Sequence, residues 1–507
     1  MIKNENLSSL AVKNSAFGII AAIISKVGGA LFIILIARLL LPKLFGIYSL
    51  VISIIIIILT FADFGLNGTV VRYVSKALGK ENFGKARAYI RYTLKLKLLL
   101  LLILTLGILV FSKFLAYDLY KNPLLFYPLL FSSFYIIIES LRAFFGNLFL
   151  AIKNLRPIPP LEFLHQILKM GFAAVAIFFL SDSFKIAGIF IASAMAGAII
   201  VIFMFFLLFK RNKKLFFGKP KKIENTKILN YLKFMSIASI SLVFFGSIDT
   251  LMLGLFVDSI YLGYYRAALG LILTIAAIFS FSAILLPIFT QINNQRFQRG
   301  FEKTFRYAII LTIPSFFGGV ILSKYLIFTL YGLEYMPAIY SLYVLSPLII
   351  IAPLVALYST IFQSKAKVKT LAKSIFWALI LNLILNIIFI LIFLRISQES
   401  AILGAGIATV ISRVFLLGCL MIKAKSQMKL NLIKKDIFKP IIASIIMSFF
   451  LMLYLQIINL NFILGIIGLI FGILVYFISL WLVKGIGIED LKLLKSFKKE
   501  KVQKINL

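Results

Sequence analysis

Residues 18–42 read GIIAAIISKVGGALFIILIARLLLP, an apolar run interrupted only by Ser25, Lys26 and Arg38 among its polar positions. A helix of about 20 such residues crosses a hydrocarbon core about 30 Å thick, since each residue adds about 1.5 Å of rise. Runs of this kind recur along all 507 residues, of which 62% are hydrophobic and only 14% charged, against about 25% in a soluble domain. In lipid every backbone polar group needs a partner within the protein, so only helices and closed barrels span. The alternation of apolar and polar residues that a barrel strand shows is missing. The chain is therefore expected to be an all-α polytopic membrane protein. The first run is too long for a cleavable signal peptide, carries Lys26 inside it and lacks a small-residue cleavage site. The single cysteine, Cys419, excludes an intrachain disulfide and a thiolate metal site.

Working outward from that run, about fourteen spans are expected, starting near residues 15, 46, 92, 124, 160, 186, 232, 264, 307, 338, 371, 401, 437 and 462. With both termini cytoplasmic, the inner connections carry about 42 of the 54 Lys and Arg, the outer ones about eight, and the spans about four. Loops such as KRNKKLFFGKPKKIENTK and QRFQRGFEKTFR are inner; the turn IINLNF between the last two spans has no basic residue. The formal charge of +37 is thus a topology signal suited to an anionic inner leaflet, and no nucleic acid is expected as a partner. Outer loops are short, and the chain holds no P-loop, HExxH, GxSxG or CxxC pattern. We therefore expect neither an enzyme nor a cofactor or metal site.

Three segments recur at nearly one offset. Gly46-Ile47-Tyr48 lines up with Gly263-Tyr264-Tyr265, Arg91-Tyr92 with Arg306-Tyr307, and NLFLAIKNLRP with TIFQSKAKVKT. Six spans per copy is an even number, so the copies share one orientation as a parallel repeat. This predicts an N-lobe over residues 1–210, a basic linker over 211–227 and a C-lobe over 228–425. Two further helices follow over 426–484 and a basic tail over 485–507.

Polar residues at membrane depth mark the candidate site. A lysine at mid-span, as Lys26 is, costs roughly 3 kcal/mol unless it snorkels, pairs or faces water. It therefore either snorkels or lines a wet cleft and attracts an anion. Arg413, near the centre of span 12, has the same two readings, cavity cation or internal salt bridge. On span 5, Glu162, His165, Gln166 and Lys169 fall at i, i+3, i+4 and i+7 and share one helical face. His165, with an ordinary pKa of about 6.5, is a candidate carrier of a coupling proton; the alternative is a Glu162–Lys169–His165 network that joins helices. Glu139 and Arg142, three apart, are expected to pair. Asp63 is expected to cap or gate at the end of span 2. Asn382 and Asn386 share a face on span 11, and Gly188, Ala192 and Ala196 form a small-residue packing face on span 6. Pro287, Pro314, Pro347 and Pro353 predict bends in the second repeat.

Two stretches, LIARLLLPKLFGIYSLVISI followed by TFADFGLNGTVVRYVS, and SIDTLMLGLFVDSIYLGYYRAAL, resemble polysaccharide and O-antigen flippases. That family belongs to the multidrug/oligosaccharidyl-lipid/polysaccharide exporter superfamily. The resemblance implies a two-lobed transporter working by alternating access in the cytoplasmic membrane. Its cargo would be a polyprenyl-(pyro)phosphate-linked oligosaccharide, its driving ion H+ or Na+, and its partners glycan-assembly proteins. Lys26, in SKVGG, stands where lipid II flippases carry an essential arginine, although lysine lacks the bidentate fork. The second arginine-rich stretch of those flippases is missing, which favours a general oligosaccharide flippase. The resemblance also makes Asp249 a candidate for coupling or lobe contact. Lys26, Arg413 and Lys169 are thus the expected cavity cations, and His165, Glu162, Asp249 and Asp63 the coupling or gating groups. The alternatives are an ion-coupled drug exporter of the same superfamily, which needs acidic cavity residues, and a membrane polymerase or ligase.

Overall fold

The computed structural model describes residues 7–485 except 224, 281–284, 286–288, 291–293, 366, 429, 431–434 and 458–461. Pro287 and the basic tail beyond Gly485 lie outside the described residues. Among the described residues there are helices and turns but no strands, as the requirement for internal backbone pairing in lipid dictates.

The opening run belongs to α1 (Leu7–Asp63), which is two helices joined at Leu41 (φ 59°, ψ 170°). The break sits there because Pro42 disfavours helical geometry in the residue before it and is itself suited to a helix start. After positive φ at Phe64 and Gly65, the second of which glycine adopts without strain, α2 follows (Leu66–Leu78). Then come α3 (Phe83–Lys113), α4 (Phe126–Ala151), α5 (Ile158–Phe179), α6 (Asp182–Arg211), the short α7 (Lys213–Phe216), α8 (Asn225–Phe256) and α9 (Ser259–Ile278). The chain continues through α10 (Asn294–Ile321), α11 (Ser323–Tyr331), α12 (Ala338–Leu345), α13 (Leu348–Ser364), α14 (Val368–Leu394), α15 (Gln398–Met428), α16 (Lys435–Ile457) and α17 (Phe462–Leu482).

Among the described residues, eleven helical stretches are long and apolar enough to span, or twelve if α12 and α13 are one span bent by 44°. That is fewer than the expected number for visible reasons. Spans 1 and 2 run together, because the Leu41 break occupies a single residue; α8 contributes only its shorter apolar part, Ile240–Phe256. Pro347 sits at the α12–α13 bend, whereas Pro314 and Pro353 lie inside helices that continue through them.

The chain forms two compact units. One holds the described residues of Met1–Gly270 and Ala372–Ser412; the other holds those of Leu271–Leu371 and Arg413–Leu507. With no hydrophobic drive between helices in lipid, close packing of small residues holds them together. In the first unit Ala192 and Ala196 of α6 are buried, and Gly197 packs against Ile138 of α4, so that an added Cβ would lie 2.8 Å from its methyl group. The same unit brings together the two matched glycines of the sequence repeat. A Cβ on Gly46 would overlap the Ser259 carbonyl, and one on Gly263 would overlap the Pro42 carbonyl. Each glycine thus meets the residue four places before the other, a reciprocal crossing of α1 and α9.

The second unit is built on α10. Tyr476 of α17 donates to the Ile310 carbonyl (2.6 Å), and Arg306 donates to the Gly485 carbonyl (3.0 Å). Met447 and Leu451 of α16 and Leu480 of α17 complete its core. The opposite faces of α16 and α17 leave Phe449 and Leu474 exposed, as suits hydrocarbon contact.

Candidate functional site

The first polar cluster lies where α1, α4 and α5 meet. Helical spacing stacks Glu162, His165, Gln166 and Lys169, and all but Lys169 are buried. Arg142 of α4 forms a fork onto Glu139 (2.8 and 2.6 Å) and reaches Glu162 (3.0 Å). Gln166 donates to the other oxygen of Glu162 (2.8 Å). The helices come this close because Gly28 of α1 has no Cβ; one there would sit 2.5 Å from the Gln166 side chain. The partner of Glu162 is therefore Arg142, not the Lys169 that sequence spacing offered. Lys169 instead lies over the Phe32 ring, 4.1 Å from its centroid, a cation–π contact. His165 Nδ1 is buried without a hydrogen-bond partner. Two carboxylates and two cations leave this cluster neutral.

Asp249 is the centre of a second cluster. It is buried on α8 and accepts from the Tyr265 hydroxyl (3.0 Å) and from the Asn386 amide (2.9 Å). Asn386 shares its amide with the Asn382 carbonyl one turn earlier (3.0 Å). Both side-chain polar atoms of Asn382, and Oδ1 of Asn386, are buried with no partner. Thr409 of α15 is buried next to the Tyr265 hydroxyl. A carboxylate with neutral donors and idle amide oxygens is rich in oxygen, as a hard cation prefers. Arg266, which donates to Thr250 (3.3 Å) and acts on the Tyr265 hydroxyl, places a positive charge beside it. Among the described residues no group of three or more His, Cys, Asp or Glu could hold a transition metal.

Asp63 accepts the Asn67 backbone N–H (3.1 Å) and so caps the start of α2. Its other partner is Lys97 of α3 (3.4 Å), fully buried and also bonded to Asn67 Oδ1 (3.2 Å). In the sequence Lys97 is masked by its basic neighbours Lys85, Arg87, Arg91 and Lys95, which read as an inner connection. The missed signal is that Lys97 stands directly before the apolar run LLLLLILTLG, in the middle of α3.

Lys26 is exposed and makes no hydrogen bond or ion pair among the described residues. It lies two residues before Gly28, so helical geometry turns it to the side of α1 away from α5. Ala22, Gly29 and Ala30 flank it within one turn, and a Cβ on Gly29 would meet nothing within 4 Å. Arg413 of α15 is half-buried at the edge of the second unit.

Comparison with known proteins follows the same lines. The family described as polysaccharide biosynthesis protein matches residues 11–293, more than half of the chain. The chain belongs to this family. A Haloferax volcanii protein described as a probable low-salt glycan biosynthesis flippase, Agl15, is 26% identical over 135 residues. That match spans 25% of this chain and 28% of the relative. The lipid II flippase MurJ in an inward closed conformation has the same fold, with a TM-score of 0.70 at 19% identity, covering 92% of this chain and 97% of MurJ. An inward-facing multidrug resistance MATE transporter of the MOP superfamily follows at 0.62 and 14%, covering 81% and 98%. At these identities the likeness shows a shared fold, and the eleven or twelve apolar helical stretches among the described residues make the protein multi-pass.

Proposed function

We propose that the protein moves a polyprenyl-(pyro)phosphate-linked oligosaccharide from the inner to the outer leaflet of the cytoplasmic membrane by alternating access. The observation that carries this reading is a contrast in engagement. The carboxylates Glu139 and Glu162 are held by Arg142, Asp63 by Lys97, and Asp249 by Tyr265 and Asn386. Among the described residues Lys26 is exposed and has no hydrogen bond or ion pair, and a Cβ on nearby Gly29 would meet nothing within 4 Å. Outside the Asp249 cluster the unengaged charge among the candidates is positive, which suits a phosphate better than the organic cations that a drug exporter of the superfamily would hold. The glycan flippase relative and the MurJ fold support the same direction. Glycosyl transfer has no support, since no group of residues described above provides a paired acid and base on an open face.

Coupling belongs, in this reading, to a sodium ion at Asp249, Asn382 and Asn386, with the neutral α4–α5 cluster as a rigid support. The test is flipping of a fluorescent lipid-linked oligosaccharide in proteoliposomes. Lys26→Ala should slow transport by about 30-fold, roughly 2 kcal/mol of lost phosphate contact, and Lys26→Arg should keep most of it. A full rate in folded Lys26→Ala protein would overturn the assignment. Arg413→Ala in the same assay checks the other expected cation.

A further inference from the structure

The linker after α6 is built as a folded surface element. Arg87 of α3 donates to the carbonyls of Lys214 (3.1 Å), Phe217 and Lys219 (3.2 Å), and Arg91 to that of Phe216 (3.2 Å). Gly218, at φ 107°, takes a turn that strains other residues, with the Arg87 guanidinium against it. Leu215 is buried in the core cluster of the first unit, and the Lys221 N–H bonds the Gly84 carbonyl (3.1 Å). These contacts fix the loop from several sides.

What the fold leaves outside is of one character. Arg211, Lys213, Lys214, Lys219, Lys221 and Lys222 are all exposed, and residues 210–223 include no Asp or Glu. Phe206 and Phe217 are exposed next to them, at 57% and 59%. Cations beside protruding apolar rings match the boundary between headgroups and acyl chains. Of the guanidinium groups at the linker, those of Arg87 and Arg91 are spent on carbonyls, which leaves Arg211. The exposed cations are mostly lysines, compact hydrated charges that attract many headgroups diffusely.

We propose that this linker is a docking surface for the anionic phospholipids of the leaflet it faces. The proposal is independent of the transported cargo. Its test is titration of the purified full-length protein, in neutral mixed micelles, with short-chain phosphatidylglycerol or phosphatidylcholine. A variant carrying Lys213→Gln, Lys214→Gln, Lys219→Gln and Lys222→Gln should lose about tenfold in phosphatidylglycerol affinity. A control with the same charge loss at Lys369, Lys373, Lys423 and Lys425 should lose under about twofold. Arg87→Gln, which frees the linker but keeps every lysine, should lose affinity as well. Equal losses in linker and control variants would overturn the proposal, as would unchanged affinity in Arg87→Gln. So would loss of farnesyl pyrophosphate binding while phosphatidylglycerol binding persists.

Discussion

The cluster around Arg142 and the cluster around Asp249 are both buried and both bridge helices of the same compact unit, yet they balance charge in opposite ways. In the first, Glu139 and Glu162 are met by Arg142, and Lys169 adds a second positive charge over Phe32. In the second, a single carboxylate accepts from a tyrosine hydroxyl and an amide, Arg266 lies nearby on Thr250, and Asn382 and Asn386 hold polar atoms without a partner among the described residues. A completed ion network locks helices together, because breaking it strands a charge. One with unpartnered amide atoms keeps sites that a further ligand can engage. The contrast supports, for the proposed cycle, a rigid α4–α5 cluster and an exchangeable ion at α8–α9–α14.

The largest expected effect comes from breaking the complete network. Arg142→Ala leaves two carboxylates unpaired and should destabilise by about 3–5 kcal/mol, read as thermal unfolding in detergent. Adding Glu139→Gln and Glu162→Gln should recover much of that loss, and no recovery would mean that the pairing is not what holds these helices. Asp249→Asn should act on function instead. Transport should fall about 30-fold and lose its sodium dependence, within the range typical of coupling between sites, while melting without sodium stays near that of the parent. A variant that transports slowly but still responds to sodium would place the ion elsewhere.

Tyr265→Phe removes one neutral donor from the carboxylate. A fall of about 1.5–3 kcal/mol in sodium-free stability is expected, as for hydrogen bonds to charged groups, and added sodium should restore part of it. The smallest effect has the opposite sign. Asn382→Leu replaces an amide whose buried atoms have no partner, so stability without sodium should rise by about 1 kcal/mol, and the stabilisation that sodium brings to the parent should shrink. A destabilised Asn382→Leu protein would show that the amide is satisfied, and the contrast between the clusters would dissolve.

Much of this was legible in the residues before any coordinates. The run at 18–42 and its successors announce helices in lipid, since apolar length and the demand for internal backbone pairing leave few choices. The α5 stripe was legible because helical period alone stacks Glu162, His165, Gln166 and Lys169. So was the Glu139–Arg142 pair, three residues apart on one helix. Lys97 was hidden by the basic residues before it, and its burial depends on Asp63, 34 residues away. The partners of Asp249 were beyond reach for the same reason, since Asn386 lies 137 residues downstream.

By itself, then, the sequence determined the class of protein, most of its helices, the matched glycines and the helical face that Glu162, His165, Gln166 and Lys169 share. These follow from local composition and periods of 3.6 residues, which act over one or a few turns. Only the tertiary structure decided who pairs with whom: Arg142 and not Lys169 with Glu162, Lys97 with Asp63, Gly46 against the residues before Gly263. Pairing is a property of helices brought together by close packing, and nothing along a single helix specifies its neighbour. Lys26 shows both halves of this division. Its cost in a membrane is written in the run GIIAAIISKVGGALF, but its freedom is decided by Gly28 turning the other face of α1 toward Gln166.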